Sequence, residues 1–181
     1  YSGHGTYRRD TDGDEDDGRD ECLVPLDYAS QGNIDDDTLN SLLALFHPSI
    51  RLVFICDACH SGTILDLPYR YLTSKEATVL ENVRCKVKCN AMMISGCKDR
   101  QTSADAYDVN DQDQYTGAMT SALLHVLKTY NYTIHVHLLL TEMRKFLRNK
   151  RFRQVPQVSS TVPIEIHVLF SVQTPSTSYI Q

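Results

Sequence analysis

An α/β fold, with a mostly parallel central sheet and helices on both faces, is what this sequence predicts. Three observations carry that reading. Arg51 to Cys56 (RLVFIC) and Asn90 to Gly96 (NAMMISG) are near-continuous apolar runs with polar boundaries, the pattern of strands buried on both faces. Residues 116–130 and 134–149 repeat apolar side chains at helical spacing, as amphipathic helices do. Strands and helices alternate along the chain, which favours crossovers over hairpins.

Taken in order, residues 5–21 are rich in Gly, Asp and Arg and predict an exposed loop. Leu23 to Leu26 is a short apolar piece containing Pro25, and Gly32-Asn33 marks a turn. Asp36 or Asp37 is placed to cap a helix over Thr38 to Phe46, whose Leu39, Leu42, Leu43 and Phe46 share a face. Pro48 stops it. The strand 51–56 follows and runs into Asp57-Ala58-Cys59-His60-Ser61-Gly62. Residues 66–90 show no clear period and predict a linker-like excursion. After the strand at 90–96 come a polar loop (101–115), the two helices, and a last strand from Val162 to Val172. No internal repeat interrupts this order. One domain suits 181 residues, and that length can bury a real core.

Composition narrows the class. Apolar residues make up 41% and charged residues 23%, ordinary for a soluble globular protein. No apolar run approaches the ~20 residues of a membrane span, and no basic-then-apolar start reads as a signal peptide. The net charge is −5, with acid gathered between Asp10 and Glu21 and base between Arg144 and Arg153. A nucleic-acid binder shows a broader basic face, so the basic segment reads as a solvated helix end. Six cysteines, several in apolar runs, read as reduced thiols of a cytoplasmic protein rather than a disulfide scaffold.

The chemistry lies beyond the strand ends, where functional loops of such sheets gather. A thiol is a weak nucleophile until an imidazole takes its proton or stabilises the thiolate. A reactive Cys just after a strand, with its His about 50 residues upstream, is a known arrangement. Here Cys59 follows the strand 51–56 and His4 stands 55 positions earlier, between Gly3 and Gly5. His60 is a poorer base, because neighbours on an extended chain point to opposite sides. Gly62 suits a turn whose N–H groups face a developing oxyanion, with Gly5 or Gly3 as second donor. Other readings stay open on spacing alone. Cys59 can be a structural thiol, or one half of a Cys56–Cys59 redox pair. Cys85 and Cys89 with Cys56 and Cys59 suit zinc poorly, since Cys56 is still inside the strand. Asp12, Asp14 and Asp16 imitate an EF-hand start, but Asp17 stands at the turn glycine and Leu23 at the closing Glu.

Tyr1-Ser2-Gly3-His4-Gly5 and the segment Asp57 to Gly62 resemble the two catalytic motifs of the metacaspases. The resemblance continues through Thr63 to Pro68, Ser95 to Asp105, Gly117 to Thr120 and Pro156 to Ser160, nearly the whole chain. It implies a caspase–hemoglobinase-like fold and a calcium-dependent cysteine endopeptidase that cuts after Arg or Lys. Cys59 is then the nucleophile and His4 the base and later the acid. Asp57 and Ser2 match the family's acidic substrate pocket, where a carboxylate suits a guanidinium. Asp20, Asp36, Asp37 and Asp66 match its four calcium positions. Residues 1–68 correspond to a large-subunit part and 91–172 to a small-subunit part, with 173–181 a tail. The stretch 69–90 between them carries Arg70, Lys75, Arg84, Lys86 and Lys88, where an Arg/Lys-specific enzyme can cut itself. Its shortness resembles type I members. A monomer acting on peptide or protein substrates is expected. The family has strands before its histidine motif, so the first strands are expected to be missing here and an apolar sheet edge to be left open. A catalytically silent caspase-like interaction module is the alternative.

Overall fold

A computed structural model describes residues 1–11, 18–71, 85–96, 117–152, 154–165 and 168–172, and the backbone of 79–80. The elements are β1 (Gly5–Arg9), β2 (Arg19–Leu23), α1 (Tyr28–Gln31), β3 (Ile34–Asp35), α2 (Asp36–Leu43), β4 (Arg51–Cys56), β5 (Tyr69–Tyr71), β6 (Val79–Leu80) and β7 (Asn90–Ser95). They continue with α3 (Ala118–Thr129), β8 (Thr133–His135), α4 (Val136–Asn149), β9 (Gln157–Ser160) and β10 (Leu169–Ser171).

The α/β class holds, and the central sheet runs β4-β7-β9-β5-β6. The two apolar runs pair in parallel from Arg51↔Asn90 to Cys56↔Ser95. The expectation of a mostly parallel sheet is corrected: β9 runs antiparallel to β7 and to β5, and β5 antiparallel to β6. The connection explains it. Between β7 and β9 the chain makes two helical passes, α3 and α4, so β9 enters the sheet from the opposite end.

Side-chain alternation on β7 builds two cores. Ala91 and Met93 join Cys56, Ala58, Ile64 and Leu65, with Leu39 and Leu43 of α2 packed against them. Met92 and Ile94 face the other way. There α3 inserts Met119, Ala122, Leu123 and Val126, and α4 inserts Val136, Leu139, Leu140, Met143 and Leu147. Both stripes follow the i, i+3, i+4, i+7 rule, and helices cover both faces as predicted.

Four local expectations change. The loop expected over 5–21 contains an antiparallel hairpin, β1 with β2, extended by β3. The excursion at 66–90 contributes β5, which lies inside the central sheet. The last strand shrinks to β10, paired with β8. The cap of α2 is Asp35, whose carboxylate accepts from the Thr38 N–H at 2.7 Å. The predicted loop at 101–115 and the tail 173–181 lie outside the described residues.

Candidate active site

The first three residues lie beside the carboxyl end of β4. The Tyr1 ammonium donates to the Ile55 carbonyl at 2.8 Å, the Asp57 N–H donates to the Tyr1 carbonyl at 3.0 Å, and Ser2 bridges Asp57 in parallel. The His4 carbonyl accepts from the Tyr1 hydroxyl at 2.8 Å and from the Val24 N–H at 3.0 Å. That anchors the histidine backbone as β1 begins. Gly5 then meets the Cys59 loop so closely that a Cβ built on it would sit 1.8 Å from the Cys59 carbonyl oxygen. Only glycine admits this approach. The two expected catalytic residues, His4 and Cys59, are thus carried on backbone in direct contact, and both are exposed.

The turn holding Cys59 is fixed from within and from outside. Ser61 Oγ donates to the Ala58 carbonyl at 2.8 Å. His60, not Gly62, takes the left-handed backbone, with φ of 50°, and its ring stands edge-on to Tyr7 of β1, 5.4 Å between centroids. Gly62 is buried at the loop base. Thr63 Oγ1 donates to Glu21 Oε2 of β2 at 2.5 Å, and Asn40 Nδ2 of α2 donates to the Leu65 carbonyl at 3.0 Å. The neighbouring thiol differs sharply: Cys56 is fully buried, and burial pushes it up to about 11. That split suits a reactive thiol at 59 and a structural one at 56, and it weighs against a redox pair. All five described cysteines are free.

Asp57 is 2% exposed. Its Oδ2 accepts from the Thr120 N–H at 2.8 Å, while Oδ1 has no hydrogen-bond partner among the described residues. Of the four expected cation ligands, Asp20, Asp36 and Asp37 come together, each offering an oxygen within 4.8 Å of the others. Asp66 stands outside that group, on the Cys59 loop, at φ of 48°. Burial pushes the Asp36 carboxyl up to about 7; the Glu21 and Asp37 N–H groups oppose this, and the charges of Asp20 and Asp37 add to it. Arg8 pairs with Asp20 and Asp35, both at 2.7 Å.

The family model described as "Caspase domain" matches residues 1–165. The chain belongs to the caspase domain family. It is metacaspase-like: it is 36% identical to Metacaspase-1 of Yarrowia lipolytica, covering 94% of this chain and 46% of that protein. It is 38% identical to Metacaspase-3 of Trypanosoma cruzi, covering 96% and 51%. Protein GSU0716 of Geobacter sulfurreducens, a crystal structure, superposes with a TM-score of 0.55 at 27% identity, covering 88% of this chain and 63% of that one. The chain spans about half the length of the curated relatives it matches.

Sequence reasoning missed several groups that hold this caspase domain's site. Glu21 reads as one more acid in a charged run, yet it holds Thr63. Asn40 reads as a helix residue, yet it ties Leu65 and also accepts from the Lys86 N–H at 3.1 Å. The Thr120 contact is a backbone N–H, which no side-chain pattern reveals; the Gly117 to Thr120 motif was its one trace.

Proposed function

We propose that this chain is the catalytic core of a calcium-dependent cysteine endopeptidase that cuts after Arg or Lys. The close approach of Gly5 to the Cys59 carbonyl is the observation that carries the reading, because it brings the His4 and Cys59 backbones together. His4 takes the Cys59 proton as the sulfur attacks the scissile carbonyl carbon, then returns it to the leaving amine. Water, activated by the same imidazole, releases the acyl group. The Gly5 and Gly62 N–H groups are the assigned oxyanion donors, and Asp57 with Ser2 receives the cationic side chain. One chain carries both members of the dyad, which supports a monomeric enzyme. Free thiols support a reducing, cytoplasmic setting. No helix among the described residues is long and apolar enough to cross a membrane.

Calcium is assigned to Asp20, Asp36 and Asp37, with Asp66 as an outer contributor. Calcium–oxygen distances of about 2.3–2.6 Å put opposed ligands roughly 5 Å apart, so three oxygens within 4.8 Å fit one ion. The ion would supply positive charge beside Asp36, whose carboxyl burial pushes up to about 7. Asp36 accepts the Glu21 N–H at 2.7 Å, and Glu21 holds Thr63, so the cluster shares a hydrogen-bonded path with the Cys59 loop. Self-cleavage is assigned to 69–90. Arg70 is inside β5, the Lys86 N–H is tied to Asn40, and Lys88 lies between buried Val87 and Cys89, which favours Lys75 or Arg84.

An Arg-based fluorogenic peptide, tested with and without calcium, checks the reading. Calcium-dependent release that Cys59→Ala abolishes is expected. No release, or release that survives Cys59→Ala, would overturn it.

A further inference from the structure

Helix α3 begins without a cap of its own. Gly117 stands at its N-cap with φ of 97° and no side chain to offer. The first turn of a helix presents N–H groups that no intrahelical carbonyl takes, at the positive end of the helix dipole. One of these, the Thr120 N–H, is taken by Asp57 Oδ2 at 2.8 Å, from 63 residues away. Cys56 points into the α2 side of the sheet, so the next side chain turns to the α3 side. Asp57 therefore caps α3 across the fold.

The second oxygen is free. Asp57 Oδ1 is buried and has no hydrogen-bond partner among the described residues, which is costly for a carboxylate. Gly96 borders it: a Cβ built on Gly96 would lie 3.4 Å from Asp57 Oδ1 and 3.1 Å from Met119 Cβ of α3. With no side chain there, α3 sits close enough for Thr120 to reach Asp57.

We propose that the N-terminus of α3, through the Thr120 N–H, is a positioning group for substrate specificity: it anchors one oxygen of Asp57 and leaves the other as the main acceptor for the cationic side chain of the substrate. This rests on the reading that Asp57 receives Arg or Lys. With one acceptor site of Oδ2 already taken by the helix, the two-pronged fit of a guanidinium is weakened. An ammonium loses nothing by that restriction. The site then separates Arg from Lys only weakly, and it does so because the helix occupies Oδ2.

Thr120→Pro tests this, since proline removes the N–H yet is tolerated in the first turn of a helix. Matched Arg, Lys and citrulline peptides are compared with calcium present. In the variant Oδ2 is freed for the guanidinium, so KM should fall several-fold for Arg and stay within about three-fold for Lys, with kcat within about three-fold. The Arg-to-Lys ratio of kcat/KM should therefore rise. Gly96→Ala, which presses Met119 away from Asp57, should raise the ratio in the same way and serves if Thr120→Pro fails to fold by circular dichroism. An unchanged KM and ratio in the folded variants, or a fall in kcat alone, would overturn the proposal. A wild-type enzyme that cuts the citrulline peptide as well as Arg, and is indifferent to Asp57→Asn, would instead overturn the underlying reading of Asp57.

Discussion

Three thiols illustrate how much burial decides. Cys22 and Cys56 are each pushed up to about 11, chiefly by burial, while Cys59 is exposed. Alkylation needs thiolate and access together. Iodoacetamide at neutral pH should therefore label Cys59 first, and peptide mass mapping should find Cys22 and Cys56 unmodified until the chain is unfolded. The same shifts set an alkaline limit. Both thiols ionise near 9.0 when unfolded and near 11 when folded, so the unfolded state releases protons first. The contribution of these two thiols is constant below pH 9 and is lost as pH rises from 9 to 11, which urea unfolding at stepped pH would read. Gly5 gives a sharper test of the site. A methyl there would sit 1.8 Å from the Cys59 carbonyl oxygen, so Gly5→Ala must move His4 from Cys59. A misplacement of ~1 Å can cost about 100-fold in rate, and a loss of that size in kcat/KM is expected, with Asp20, Asp36 and Asp37 untouched.

Helix α2 couples the cluster to the fold, and its cap is the place to perturb it. Asp35 accepts the Thr38 N–H with one oxygen and Arg8 with the other. Asp35→Ala should cost about 1 kcal/mol through the lost cap, visible in thermal unfolding, with little added from an exposed arginine. Legibility divides along the same lines. Strands β4 and β7 and helices α3 and α4 were readable because each buries a continuous run or a periodic stripe. The β1–β2 hairpin was not: its order rests on cross-strand pairs such as Arg8 with Asp20 and on Arg19 over Tyr7, which in sequence look like a charged loop. Strand β5 was hidden for a similar reason, as Tyr69 to Tyr71 is short and has an arginine at its centre. In the candidate site, the meeting of the His4 and Cys59 segments was readable from spacing and flanking glycines. The N–H of Thr120 was not, and neither was the separation of Asp66 from the other three aspartates, since both depend on where distant elements come to rest.

At the scale of the whole molecule, the described residues leave one side of the sheet open. β4 ends the strand order, and among the described residues its outer edge is met only near its carboxyl end, by Tyr1 and Ser2. Val53, at mid-strand, is 48% exposed, and Ile50 just before the strand is also exposed. Unpaired backbone groups beside apolar side chains are a template for another strand, so the 181-residue chain should self-associate as its concentration rises. This is aggregation, distinct from catalysis, because His4 and Cys59 lie beyond the strand's other end. Val53→Lys places at mid-edge the residue proteins commonly use to blunt such edges. Light scattering should show the variant remaining monomeric at concentrations where the parent associates, while Cys59 alkylates at the parent's rate. Equal association of the two chains would move the sticky surface away from β4, with the exposed Leu42 and Leu45 at the end of α2 the next to test.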